Sequence, residues 1–407
     1  MARNPTFTAN NVVGLRGCAA NPTYVLRNTV NFFPLRAICA AASAIVLLSA
    51  CATVSADSPI TSLRLIGEQR IALKQPFNGT LVGGLSGIDY DAASGDWVLE
   101  SDDRSEFNPA RFYRATLSYD ANSFSGVKLN SVHFFKQPAG GNYPNLAHAK
   151  LDRGEQVPDI ETVRVDPHDG SLWYGSEGNR KVGLDPFVAH ASRDGRYLAP
   201  LPTPAMFRVS QNETGSRNNM SFEGLSFSAD GNSLWLGMEA ALYQDGPLAT
   251  PERGSVVRIT QLDRAGQVLA QYAYPIEAIA SSPAPGRNAD NGVSEILAID
   301  GHRLLIVERA GVENAEGVYA NHVRLYEMDV AGATDIRDVP ALANAKYVPA
   351  RKRLLLDLEK IGLERVDNLE GIAWGPRLAN GRRSLVMVSD DNFNAQQVTQ
   401  LLVFEVR

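Results

Sequence analysis

"SFEGLSFSADGNSLWLGMEA", Ser221 to Ala240, holds an apolar strand opened by Glu223, an Asp-Gly turn at 230 and 231, a second strand around Trp235, and Glu239 at its end. Two short apolar runs joined by a turn that favours positive φ read as a β-hairpin. The design recurs as "GLSGIDYDAASGDWVLESDD" from Gly84, "DIETVRVDPHDGSLWYGSEG" from Asp159, "VSEILAIDGHRLLIVERA" from Val293 and "NLEGIAWGPRLANGRRSLVMVSDD" from Asn368. Each copy opens on a polar or acidic residue (Ser86, Glu161, Glu223, Glu295, Glu370). Each closes on an acid (Asp102, Glu177, Glu239, Glu308, Asp390), 16, 16, 16, 13 and 20 positions later.

The opening residues are 75, 62, 72 and 75 positions apart, and a third strand follows the hairpins, as in "ARFYRATLSYD" from Ala110 and "HVRLYEMDVAG" from His322. Repeated sets of four antiparallel strands are the unit of a β-propeller. The expected fold is therefore all-β, a propeller of five or six blades of four antiparallel strands. "SLRLIGEQRIAL" near the N-terminus and "TQLLVFEVR" at the C-terminus would share one blade and close the ring, which hides the sheet edges. A β-sandwich or an open repeat array is the alternative, but neither explains the common register. Asp-Gly at 169, 230 and 300 and Asn-Gly at 380 mark hairpin turns, Trp97, Trp173, Trp235 and Trp374 read as blade packing, and "LLLDLEKIGL" from Leu354 is the best candidate for a short helix.

A chain of 407 residues with 44% hydrophobic residues can bury a large core, and its net charge of -6 offers no basic field to a phosphate backbone, so nucleic acid is not an expected partner. The three cysteines, Cys18, Cys39 and Cys51, all precede the repeats, which leaves the repeats without disulfides or thiolate metal sites. Around the last of them, "PLRAICAAASAIVLLSACATVSADSP" has the order of an export signal: Arg36, an apolar run, then small residues. Leu48 to Cys51 resembles a bacterial lipobox, which implies removal of residues 1–50, acylation of Cys51 and a membrane-held, periplasmic or surface-facing protein; Ala52 suits outer-membrane sorting. An ordinary cleaved signal or an uncleaved anchor is the alternative. Residues 51–60 then read as a tether, and 61–407 as the folded domain.

Equivalent positions of successive blades meet around a propeller's axis. Glu161, Glu223, Glu295 and Glu370, with Ser86 in the fifth place, are expected at one channel mouth, flanked by Asp102, Asp103, Glu177, Glu239, Glu308, Asp390 and Asp391. Clustered carboxylates raise one another's pKa and are relieved by protons or by a cation. An all-oxygen donor set with flexible geometry suits calcium better than magnesium, and the lack of cysteine disfavours zinc. The alternative is structural: acids in register that hydrogen-bond the next blade. Arg104, Arg217 and Arg309 lie next to these motifs and can grip phosphate or carboxylate groups of a substrate, or pair with the acids themselves.

Taken together, "GLSGIDYD", "SDDRS", "DIETV", "SFEGLSFSADGNSLWLGMEAAL", "LLIVERAG" and "NLEGIAWG" with "SDDNFN" resemble the phytase-like family described by an esterase-like activity. That resemblance implies a secreted or membrane-tethered propeller with calcium-dependent hydrolysis of a small phosphoester or ester. It implies Glu223, Glu239, Glu308, Glu370, Asp390 and Asp391 as ion ligands and Arg217 and Arg309 as substrate contacts. Few lysines lie near the motifs, unlike a propeller phytase, and "GLSGI" falls one glycine short of a serine-hydrolase elbow. The competing expectation is a non-catalytic propeller that binds an envelope partner or ligand at its channel mouth.

Overall fold

The computed structural model describes residues 59–407, in which five four-stranded antiparallel sheets form in sequence. Blade 1 comprises Ile88–Asp91, Asp96–Ser101, Arg111–Tyr119 and Phe124–Phe134; blade 2 comprises Ile160–Val165, Leu172–Ser176, Phe187–Ala191 and Tyr197–Leu201. Blade 3 runs through Phe222–Phe227, Ser233–Met238, Ser255–Asp263 and Val268–Ile276; blade 4 through Ala289–Ala298, Arg303–Glu313, Tyr319–Asp329 and Arg351–Asp357. In blade 5, Asn368–Gly375, Ser384–Asp390 and Thr399–Val406 take Leu63–Ile71 as their fourth strand, with Leu63 opposite Val406 and Ile71 opposite Thr399. The expected closure is present, and the blade number is five. Longer strands in blade 4 and connections such as 135–159 and 330–350 account for the wide spacing, with no sixth blade among the described residues.

Apolar side chains join the blades. Val98 of blade 1 packs with Val163 of blade 2, Leu225 of blade 3 with Ile296 of blade 4, and Leu305 of blade 4 with Ile372 of blade 5. Burying each such side chain contributes about 1.5–3 kcal/mol, so the interfaces and not the isolated sheets stabilise the ring. Trp97, Trp173 and Trp235 are buried in these layers, as their spacing predicts.

Two local expectations are corrected. The stretch from Leu354 is no α-helix: Arg351–Asp357 pairs with Tyr319–Asp329, and only Leu358–Lys360 turns into a short 3-10 segment, which Asp357 caps by accepting the Glu359 N–H. The three leucines before Asp357 lie in a strand that finds a partner, which outweighs their helical propensity. At the hairpins, Gly170, Gly231 and Gly381 have φ of 74, 72 and 81°, whereas Gly301 is not left-handed. There the Asp300 carboxylate closes the turn itself, accepting N–H bonds from His302 and Arg303.

The leader 1–50 and Cys51 lie outside the described residues, as does most of the tether. Ile60, assigned to the tether, is buried within the domain, and its carbonyl accepts from Arg353. Among the described residues no helix is long and apolar enough to cross a membrane.

The first strand of each blade lines the axis. In blades 2, 3 and 5 it carries a bulge at the opening acid: pairing skips Glu161, Glu223 and Glu370. A bulge re-aims a side chain out of the ladder, here toward the channel mouth. One layer down, the axis is filled. Arg164, almost fully buried, donates to the carbonyls of Ile88, Leu225 and Ile296 in blades 1, 3 and 4, and pairs with Glu295 at 2.7 Å.

Candidate functional site

Blade 4 breaks the sequence register by one residue. Its bulge falls on Ser294, since Val293 pairs with Glu308 and Glu295 with Val307. Ser294, not Glu295, is thus the counterpart of Glu161, Glu223 and Glu370, and Arg309, not Glu308, takes the place that Glu177, Glu239 and Asp390 hold in their blades. The ring at the mouth therefore has acids in most places and an arginine in one.

The consequences for the displaced pair are plain. Glu295 accepts from Arg164, Thr162 Oγ1 (2.9 Å) and the N–H groups of Leu225 and Ile296; burial pushes its carboxyl up to about 7 against these donors. Glu308 accepts from the Tyr274 hydroxyl and from Lys352, both at 2.6 Å. Both are structural acids remote from the mouth, and two others from the expected set are structural as well. Asp103 pairs with buried Arg111 at 2.6 Å and accepts the N–H groups of Glu106, Phe107 and Asn108. Asp391 accepts from Gly84, Phe393 and Thr399. Arg217 stacks on Tyr243 and donates to the Ala241 and Gly246 carbonyls, away from the acids.

The remaining acids do meet. Carboxylate oxygens of Asp159, Glu161 and Glu177 lie within 4.8 Å of one another, and so do those of Glu177, Glu223 and Glu239. Asp102, Glu370 and Asp390 continue the arc: Asn368 Nδ2 donates to Glu370 Oε1 at 2.8 Å and to Asp390 Oδ2 at 3.3 Å. Ser86 is buried and donates to Glu370 Oε2 at 2.9 Å, so it positions an acid and is no exposed nucleophile. Two cations border the arc. Arg104 pairs with Asp159 and reaches Asn219 Oδ1 at 2.6 Å; Arg309 approaches Glu370 at 3.5 Å, Glu239 at 3.7 Å and Asp290 at 3.9 Å.

Like charge and burial dominate the chemistry here. Burial, followed by the neighbouring carboxylates, pushes Glu161, Glu177, Glu223, Asp102 and Asp390 well above the usual carboxylate range. Burial also raises Glu370, Asp159 to about 6 and Glu239 to about 8, while the arginines pull in the other direction. Glu177 Oε2 and Glu223 Oε2 are buried without a hydrogen-bond partner. Buried polar atoms are seldom left so. Two three-carboxylate groups that share Glu177, with a free oxygen in each, are an all-oxygen donor set that fits a hard divalent cation.

Asp159 and Asp290 belong to the site and escape the sequence reading. Asp159 heads its motif in "DIETV", two residues before the opening acid, and faces the same mouth; only blade 2 has an acid there. Glu100, buried in blade 1 with both oxygens unpartnered, also escapes, because alternation places it among interior positions.

A sequence model of the family described as phytase-like, esterase-like activity of phytase, matches residues 80–393. An uncharacterized secreted protein of Arthroderma benhamiae is 29% identical over 176 residues, which covers 32% of this chain and 34% of that protein, so the chain spans about a third of the relative's length. Among solved structures, a thermostable family-43 glycoside hydrolase aligns with a TM-score of 0.40 at 11% identity (81% of this chain, 92% of the other). The periplasmic gluconolactonase of Pseudomonas aeruginosa aligns with a TM-score of 0.33 at 13% identity (80% and 87%). Similarity at that level carries no argument about chemistry; the propeller assignment rests on the strand pairing above.

Proposed function

Because the chain belongs to the phytase-like family described by an esterase-like activity, we propose that it is a calcium-dependent hydrolase of small phosphoesters or esters, acting at the acid-lined channel mouth. The observation that carries this reading is the pair of unpartnered buried oxygens, on Glu177 and Glu223, inside two carboxylate groups that meet at Glu177. Asp159, Glu161, Glu177, Glu223 and Glu239 would hold the cation, with Glu370, Asp390 and Asp102 along the arc. When bound, calcium supplies positive charge that polarises an ester or phosphoryl oxygen and acidifies a water.

The protein's own groups do the rest. Arg309 reaches into the ring from blade 4 and offers a guanidinium to a substrate oxygen, while Glu239, Glu370 and Asp290 keep it charged against burial. Arg104 does the same from blade 1 at a half-exposed position. Ser86 and Asn368 orient Glu370 so that its oxygens face the mouth. The filled axis below, at Arg164 and Glu295, closes the site to solvent from the far side.

Export is part of this proposal. The secreted Arthroderma relative and the signal-like segment before Cys51 support it, and the lipobox-like string supports anchoring at an outer membrane.

Glu223→Gln and Asp390→Asn remove charge from the donor set without changing shape. Each is expected to cut kcat/KM on 4-nitrophenyl phosphate or 4-nitrophenyl acetate by about 100-fold at millimolar calcium. Rates equal to wild type in both variants would refute hydrolysis at this mouth. No turnover of any ester by wild type, with a cation bound, would favour the propeller that binds an envelope partner without chemistry.

A further inference from the structure

Only blades 1 and 5 follow the ring acid with a second aspartate; blades 2, 3 and 4 have Gly178, Ala240 and Ala310 there. Neither second aspartate belongs to the acid arc, and both do the same work. Asp103 fixes the backbone of Glu106, Phe107 and Asn108, and Asp391 accepts the Phe393 N–H at 3.0 Å and the Gly84 N–H at 3.0 Å. The two aromatic rings that these loops carry stack on each other, with centroids 4.5 Å apart and planes at 28°.

This pair is held at a cost. Asn392 and Phe393 have φ of 46 and 50°, a conformation rare for a bulky residue and concentrated at functional positions. Phe107 is 48% exposed, so one face of the stacked pair is open to a ligand. Below the pair lies the buried Arg111 guanidinium, 5.9 Å from the Phe393 ring. Beside it is a cavity of about 240 Å³ lined by Asp102, Arg104, Glu106, Phe107, Asn392 and Phe393. A side chain at Gly84 would collide with both Asp102 and the Phe393 ring edge, so the apolar wall and the nearest acid of the arc adjoin.

Resting on the hydrolase reading above, we propose that Phe107 and Phe393 form the subsite for the alcohol part of a monoester whose leaving group is aromatic or similarly flat and apolar. Its ester or phosphoryl end then reaches Asp102 and Arg104 at the start of the arc. A polyanionic substrate is disfavoured by the same geometry. Arg104 and Arg309, while each can offer a contact to one substrate oxygen, share their charge with Asp159, Glu239, Glu370 and Asp290, and Lys74 lies 4.8 Å over the Phe107 ring. Little positive charge is left for several phosphates, whereas one flat group and one charged end match what the rim offers.

The test separates the subsite from turnover by using phosphonates, which are not hydrolysed. Calorimetry on the full chain at millimolar calcium would compare phenylphosphonate with methylphosphonate for wild type, Phe107→Ala and Phe393→Leu. Wild type is expected to bind the phenyl compound about three- to tenfold more tightly, the size of an aromatic pair interaction. Phe107→Ala, a change at an exposed ring, should erase the preference and leave methylphosphonate affinity within twofold. Equal affinities in wild type, a preference that survives both substitutions, or binding of neither phosphonate would each overturn the subsite. The hydrolase reading stands or falls separately on turnover of the nitrophenyl esters: turnover with no phenyl preference sinks only the subsite, and phenyl preference without turnover sinks only the hydrolase.

Discussion

Arg164→Met is expected to lower the unfolding free energy by about 3–5 kcal/mol, the usual cost of leaving one member of a buried ion pair alone. The loss is large because the guanidinium serves four partners in different blades: Glu295 and the carbonyls of Ile88, Leu225 and Ile296. Methionine fills similar volume but leaves the carbonyls unpaired on the axis and Glu295 without its counter-charge. Glu295→Gln in the same chain removes the uncompensated buried charge, so the double variant should regain part of the loss. Denaturant titration of the two single variants and the double variant measures this. A single variant within 1 kcal/mol of wild type, an order set by ordinary surface changes, would show that the axis does not depend on the arginine.

The second large effect concerns pH. A carboxyl whose folded pKa is raised binds protons more tightly in the folded state, so its stabilising contribution is complete below the unfolded value and is lost as pH rises through the folded one. Asp159, raised to about 6, and Glu239, raised to about 8, define a window from roughly pH 4 to 8. In chelator, thermal stability should therefore fall across that window, by several kcal/mol. With millimolar calcium the ionised carboxylates gain a partner, and the decline should flatten or reverse, because binding to the folded state alone adds stability by mass action. Melting scans at pH 5 and pH 8, with and without calcium, give the four values needed. Identical pH slopes with and without calcium would remove the cation from the site.

How much of this was readable in the residues follows from what each residue type reports. Hairpin punctuation and alternating apolar runs gave the blades and their closure, because those patterns are local. The acids of blades 2, 3 and 5 were legible for the same reason: a bulge at an equal offset leaves the spacing intact. In blade 4 the bulge sits on Ser294, and a visible glutamate one residue later drew the alignment to the wrong strand face. Arg309 then passed for a neighbour of the ring when it is a member. Asp103 and Asp391 were indistinguishable from Asp102 and Asp390 by letter, and only their contacts with Arg111, Thr399 and loop N–H groups separate them. Asp159 lacked any repeat counterpart to point at it. In each double aspartate the first acid, Asp102 or Asp390, faces the mouth, and its neighbour, Asp103 or Asp391, braces a loop.

Pairing of Leu63–Ile71 with Thr399–Val406 has a consequence for timing. Leu63–Ile71, the first strand among the described residues, must wait for Thr399–Val406, more than three hundred residues later, to leave the ribosome before blade 5 can close. Until then a polypeptide with most of its sheets finished still shows two unsatisfied borders, each able to recruit a stranger. Slow, late-locking assembly of this kind follows from the wide sequence separation itself.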